Sequence, residues 1–445
     1  MISAPAIVHA NQSSLAQRCA LSAYLLLLFT ILIGPTPLQF PPHVTELNPP
    51  APPIWYVASV ALCHILAVFA LLLKPRHFFS LFPTSLYVLA GLAVISVLWS
   101  QFPGIATTRA VRLWLMLLVV GVSVDQLGCR RAWVLLGTFL TIVVFANWIS
   151  LPFFKPSVHG IEDADLRLLG NWRGISNHKN IAAPLMFFAA LYLIARYFET
   201  KRIVYWLPAA LAIGFLIGTQ SKTTIGFSIV GLALYCTLHL LRSAPETTRF
   251  LTIWTGLSLV AVGTIVGLQT DAAAELLEDP GGISGRALLW KVLLIHIEQV
   301  FLWGTGYGSF WRVGPAGPTF YYMTGWSASS YSGHNGYLDI FVTLGVFGFI
   351  LSIFVFVISP LLTFIKRTKP DMLDRIAVAG LVFSSLHNLL ETSFLVPGAD
   401  VFLIWLICIA TLREERPRIE SIKDDLSLDT MLTRNRSHFI RRLPR

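Results

Sequence analysis

Apolar runs of membrane-spanning length recur along this chain and leave little room for any fold but a bundle of membrane helices. Twelve can be marked, at 19–39, 54–73, 82–99, 106–124, 132–151, 179–197, 203–219, 223–241, 250–269, 335–365, 375–395 and 398–412. Each approaches the ~20 residues that a helix needs to cross the hydrocarbon core. Composition agrees: 55% of residues are hydrophobic and 13% charged, against about 25% charged in soluble domains. The expected fold is an all-α polytopic membrane protein of about 12 transmembrane helices. The first run follows a long N-terminus with one basic residue and no convincing cleavage site, so it reads as a retained anchor.

The net charge of +10 does not point to nucleic acid, because the cations sit in short loops between apolar runs and in a tail. Lys74 and Arg76, Arg130 and Arg131, Arg196, Lys201 and Arg202, Arg242 and Arg249, and Lys366, Arg367, Lys369 and Arg375 fall in alternate connections. By the positive-inside rule those connections, and both termini, are expected in the cytoplasm. The domain layout expected is nine helices over 1–269, a large outer loop over 270–334, three helices over 335–412 and a basic, disordered cytoplasmic tail over 413–445. A smaller outer loop spans 152–178. Loops beyond about 15 residues are usually functional or disordered. The longer loop has a helical stretch at 284–300, framed by Gly281-Gly282 and Trp303-Gly304, whose apolar residues cover more than one face and suit a helix that lies in the interface or packs on the bundle. None of the five cysteines lies in an expected outer segment, so no structural disulfide is expected.

Polar groups near the outer ends of the apolar runs are the candidates for chemistry. Arg109, Arg112, Arg173, Lys179, Lys222 and Arg286 sit where positive-inside statistics disfavour cations. They suit the phosphates of a lipid-linked diphosphate, or they snorkel to ordinary headgroups. His334 could accept a proton at neutral pH or cap the helix that begins there, and Asn335 could orient that imidazole or be the cap. The same choice holds for His178-Lys179-Asn180. His387, Asn388 and Glu391, at i, i+1, i+4 of a late run, read best as polar glue within the bundle. Aromatic residues crowd 301–331, including Trp303, Tyr307, Trp311, Tyr321, Tyr322 and Trp326, and fit either sugar stacking or a headgroup belt. Gly345 and Gly348 at i, i+3 predict close approach of a neighbouring helix. No cysteine cluster or HExxH spacing is present, so no metal and no cofactor is expected.

With these residues in view, the chain resembles the O-antigen ligase and polysaccharide polymerase superfamily of bacterial membrane glycosyltransferases. The match lies in His334-Asn335, nine residues, then Gly345-x-x-Gly348. It extends to Arg173-Gly174 with His178-Lys179-Asn180, which is similar to the exopolysaccharide-production branch, to Gly285-Arg286 with Trp290, and to Ser221-Lys222 where relatives often have Ser-Arg. Lys222 offers a point charge and no planar fork.

The resemblance implies an inner-membrane enzyme whose active site faces the periplasm. The donor would be a glycan on undecaprenyl diphosphate, and the acceptor another glycan or a lipid core. A chain-length regulator or export complex is a further implied partner, besides the membrane lipids. Arg286 and Arg173 would stabilise the leaving diphosphate, and His334 would take the hydroxyl proton or position the acceptor. Asn335, Lys179, Asn180, Lys222, Arg109 and Arg112 would bind substrate. The rival expectation is a transporter or flippase for the same lipid-linked oligosaccharides.

Overall fold

A computed structural model describes residues 4–37, 51–74, 78–161, 163, 166–268, 286–323, 330–367 and 369–414. Expectations that fall on Gly281–Gly285, Trp326 or the tail beyond residue 414 lie outside these. Every apolar run marked in the sequence contains a helix. The first nine are α1 (Ala4–Leu32), α2 (Ile54–Leu73), α3 (Thr84–Ile95), α4 (Pro103–Leu127), α5 (Cys129–Phe153), α6 (Lys179–Thr200), α7 (Trp206–Gly218), α8 (Lys222–Leu240) and α9 (Glu246–Leu268). The loop helix follows as α10 (Arg286–Gln299), then α11 (Gly336–Ile353), α12 (Ser359–Ile365), α13 (Met372–His387) and α14 (Asp400–Arg413). Among the described residues the one extended pairing is an isolated bridge between Val158 and Trp172.

Seven of these stretches are long and apolar enough to cross a membrane: Ser14–Leu32, α2, α4, α5, α6, α8 and Gly336–Ile365. Two more apolar stretches, Thr84–Trp99 and Ile203–Gly218, are shorter. The helix α6 lies at the centre and is largely buried, whereas α2 is peripheral and mostly exposed to the surroundings of the bundle. Phe187 of α6 stacks on Phe383 of α13 with ring centroids 3.8 Å apart, and α13 also packs on α8 and α14. Outward-facing apolar residues such as Leu62, Ile65 and Leu72 of α2 are the ordinary surface of a helix solvated by lipid.

The connections sort to the two ends of the bundle. Asn177 bonds Thr36, Trp172 N–H donates to the Gly218 carbonyl, Ser100 meets Ser309, and Asn180 reaches Glu391. At the other end Gln126 donates to the Lys74 carbonyl, Arg249 to Arg367, Arg367 to Leu412, and Arg413 to Ser80. Loops that the Lys and Arg pattern assigns to one side thus touch one another.

Two expected spans are broken in ways that shape the site. Gly345 is not helical (φ 66°, ψ −170°), a conformation that only glycine adopts freely. The close approach expected there is real, but the partner is a loop. Thr305 N–H donates to the Val342 carbonyl, Gly306 N–H to Thr343, and Val346 N–H to Phe301, and a Cβ on Gly345 would run into the Leu302 carbonyl. Secondly, the expected run 375–395 is helical only to His387. Asn388 Oδ1 accepts the amides of Ser393 and Phe394, which turns the chain back on itself. Glu391 therefore does not lie on a helix face with His387, as its spacing suggested. The turn covers the start of α11, where Gly336 N–H donates to the carbonyls of Asn388 and Glu391.

Candidate active site

The centre of the site is that displaced carboxylate. Glu391 Oε1 accepts from the Arg286 guanidinium and from Asn180 Nδ2 (2.7 Å), and Oε2 lies 2.8 Å from His334 Nδ1. Each partner belongs to the start of a helix. Arg286 opens α10, Asn180 lies in the first turn of α6, and His334 directly precedes Asn335, the N-cap of α11. Asn180 Oδ1 in turn accepts from the hydroxyl of Ser221, the N-cap of α8 (3.0 Å). Four helix N-termini, each the positive end of a peptide dipole, are thus linked around one carboxylate.

Local chemistry explains why each element begins where it does. Asn335 Oδ1 accepts the amides of Tyr337 and Leu338, so Asn335 is the cap. His178 Nδ1 accepts the Asn180 amide and caps α6. His334 itself is in the left-handed region (φ 50°), where His is tolerated more often than most residues. The preceding Gly333 is fixed from both sides. Its N–H donates to both Asp339 carboxylate oxygens at 3.1 Å, and its carbonyl accepts from Trp290 Nε1 at 2.9 Å. Trp290 lies one turn after Arg286 on α10, so one helix face supplies both the guanidinium and the brace for the His334 loop. Asp339, buried on α11, also accepts from Trp311 Nε1 (2.7 Å) and Thr392 (2.5 Å).

The electrostatics of the cluster are settled by its cations. Burial alone would raise the Glu391 pKa, but the His334 hydrogen bond and the charges of His334, Arg286 and His387 outweigh it and hold it at about 2. His178 is pulled down to about 4, chiefly by burial and then by its neighbour His159, so it is neutral at pH 7. Glu391 and Arg286 expose only 12% and 11% of their side chains, whereas His334 exposes 37%. The imidazole is the open member of the trio, and its Nε2 makes no hydrogen bond among the described residues.

The remaining expected residues divide. Lys179 lies beside the cluster, its Nζ 3.3 Å from the Gln220 carbonyl. Lys222, exposed at the start of α8, makes no ion pair or hydrogen bond among the described residues. Arg173 is not in this group. It is fully buried, donates to the Pro156 and Asn177 carbonyls and pairs with Asp163 at 3.7 Å. Asp163 also accepts from Gly160 N–H (2.8 Å) and lies 3.1 Å from His159 Nδ1, so Arg173 closes the knot that folds the loop before α6. Arg109 is likewise turned to backbone, donating to the carbonyls of Gly308, Trp311 (2.8 Å) and Arg312 (3.2 Å). Arg112 is exposed on α4. Of the aromatic residues, Tyr307 and Trp311 are buried, the first donating to the Leu395 carbonyl. Trp303, Tyr321 and Tyr331 are exposed. Glu391 and Asp339 are the two residues that sequence reasoning did not assign to the site. The available signal was a carboxylate in an otherwise apolar segment, which is costly without a task.

A protein-family model described as O-antigen ligase matches residues 207–353, about a third of the chain. The matched segment contains Lys222, Arg286, His334, Asn335, Asp339 and Gly345, and it ends before Glu391. No curated protein matches the chain.

Proposed function

We propose, for a chain whose segment 207–353 matches the O-antigen ligase family model, that it transfers or polymerises glycan carried on undecaprenyl diphosphate. The site lies on the periplasmic face of the inner membrane, in a twelve-span chain with both termini in the cytoplasm. The observation that carries this reading is the convergence of Arg286, Asn180 and His334, at the starts of α10, α6 and α11, on one carboxylate, with the start of α8 linked through Ser221. Glu391 and Arg286 are nearly buried there, and the trio is open at a single basic nitrogen.

The acceptor hydroxyl oxygen attacks the anomeric carbon of the donor as the bond from that carbon to the diphosphate oxygen breaks. The bonding pair leaves with the diphosphate, the configuration inverts, and the hydroxyl proton passes to His334 Nε2. Arg286, the helix N-termini and the ammonium groups of Lys179 and Lys222 stabilise charge building on the leaving group, where preorganised donors act most strongly. Charge-assisted hydrogen bonds contribute about 1.5–3 kcal/mol each. Arg173 and Arg109 serve by holding the two outer loops in place. No step needs a metal. The His178-Lys179-Asn180 segment favours exopolysaccharide polymerisation over ligation to a lipid core.

The test is a glycan ladder from a strain lacking this chain, complemented with wild type, His334→Ala or Arg286→Ala at equal membrane level. Loss of long polymer, with single repeat units accumulating on the outer face, supports polymerisation. Intact carrier-linked polymer beside bare lipid core makes the enzyme a ligase. Accumulation on the inner face overturns both and makes the chain a flippase.

A further inference from the structure

Glu391 lies beyond the segment that matches the family model, and no distance rule in the sequence joins it to His334, 57 residues away. Its three contacts nonetheless use the carboxylate in an unusually constrained way. Every group that meets it is a donor or can be one. Arg286 and Asn180 both donate to Oε1, so that oxygen has to remain an acceptor. His334 meets the other oxygen through Nδ1. A carboxylate with this pKa carries no proton at neutral pH, so the proton of the shared hydrogen bond belongs to the imidazole. That fixes the tautomer: Nδ1 holds the hydrogen and Nε2 is left as the basic nitrogen.

We propose that Glu391 is the positioning residue of this site, which holds His334 with Nδ1 as donor and Nε2 as the nitrogen that takes the acceptor's proton. The inference rests on the reading of His334 given above and deepens it. Other ionisable groups near the pair are Arg286 at the start of α10, Asp339 on α11, His387 at the end of α13 and His178 before α6. Among these, only Arg286 hydrogen-bonds the carboxylate, and it does so on the oxygen that His334 does not use.

Glu391→Gln separates this role from mere packing. The amide has the size of the carboxylate, but one terminal atom becomes a donor. Two donors already face Oε1, so the new N–H2 is forced towards His334. Nδ1 then has to accept, and the hydrogen moves to Nε2. The base is lost while Arg286 and Asn180 keep their acceptor. Transfer should therefore fall on the order of 10⁴-fold, as where a carboxylate that orients a catalytic histidine becomes an amide. The loss should fall in kcat with the KM for donor little changed.

The experiment reads the tautomer directly. The full chain, labelled with ring-¹⁵N histidine and reconstituted in lipid bilayers, is studied by NMR over a range of pH, and the tautomer is read where the ring carries a single hydrogen. The His334 signals are assigned by their absence in His334→Ala. Wild type should show Nδ1–H, and Glu391→Gln should show Nε2–H. Wild type in the Nε2–H form overturns the inference with no variant needed, as does an unchanged tautomer in a folded Glu391→Gln protein. This measurement uses no substrate, so it stands apart from the glycosyltransferase reading. An inverted tautomer with full polymer output would leave the hydrogen bond intact and remove the base role of His334.

Discussion

Arg173 and Arg286 look alike in the sequence, and replacing each with alanine should separate them. Arg173 is fully buried, donates to the Pro156 and Asn177 carbonyls and neutralises Asp163 at 3.7 Å. Burial lowers its pKa and the Asp163 charge opposes that shift. Arg173→Ala leaves a buried carboxylate without its arginine and two carbonyls without their donor. Breaking a buried pair in this way costs about 3–5 kcal/mol. In a chain of this size the unfolding midpoint should fall by roughly 3–5 °C. Arg173→Lys should recover little, because an ammonium cannot span two carbonyls and a carboxylate as a planar fork does. Arg286→Ala is different, because among the described residues Arg286 holds no backbone carbonyl, and Glu391 retains its bonds from His334 and Asn180. Its midpoint should move by roughly 1–3 °C, while polymer output is lost. Thermal unfolding of detergent-solubilised protein, followed beside glycan output from the same membranes, makes the comparison. An Arg173→Ala protein that melts like wild type but makes no polymer would refute the loop-clamp argument and return Arg173 to the diphosphate.

Three further outcomes follow from the geometry. Gly345→Ala combines a φ that costs about 1–3 kcal/mol for a residue with a side chain with a clash at the Leu302 carbonyl. It should lower membrane yield and detach the loop before α11, seen as new protease cleavage near 301–306. Asp339→Ala removes the acceptor for Gly333, Trp311 and Thr392. It should abolish output at near-normal membrane level, and output equal to wild type would show that the His334 loop does not need this brace. Stability should also fall in two steps on acidification. His178 is neutral in the fold with its pKa depressed to about 4. The unfolded state therefore binds the extra proton first, and stability falls between about pH 6.5 and pH 4. Glu391, held at about 2, contributes stability that is full above its ordinary pKa and is lost as pH falls from about 4.5 towards 2. Melting curves of wild type and Glu391→Gln should converge over that lower window; a constant gap would contradict the assignment.

Much of this was legible because membrane helices declare themselves locally. Continuous apolar runs gave the helices, and the alternation of Lys and Arg gave loops that meet at two separate ends. The cap at Asn335 is one of the two roles its sequence allows, whereas His178 caps α6 at a place where Asn or Ser is the commoner choice. For Glu391 the sequence carries one signal, a carboxylate in an apolar run, and nothing that names its partners. Its role depends on α13 stopping at His387 and on Asn388 folding the next residues over α11, and its partners lie 57, 105 and 211 positions away. Spacing on one helix, the rule available to a reader of sequence, pointed it towards packing instead. Arg173 shows the converse. A guanidinium beside a polar run has the same letters whether it faces phosphate or its own backbone, and only the position of Pro156 and Asn177 decides. The Gly345-x-x-Gly348 spacing predicts close approach of a neighbouring helix, but glycine spacing does not say whether a helix or a loop arrives, and here it is the loop at 301–306.

The most direct measurement uses purified chain in proteoliposomes with a fluorescent glycan on undecaprenyl diphosphate and a soluble acceptor glycan. The account predicts a new glycosidic bond and one free undecaprenyl diphosphate per transfer from wild type, and neither from His334→Ala or Arg286→Ala. Donor carried across the bilayer with its glycan unchanged, or equal transfer by all three proteins, would contradict it.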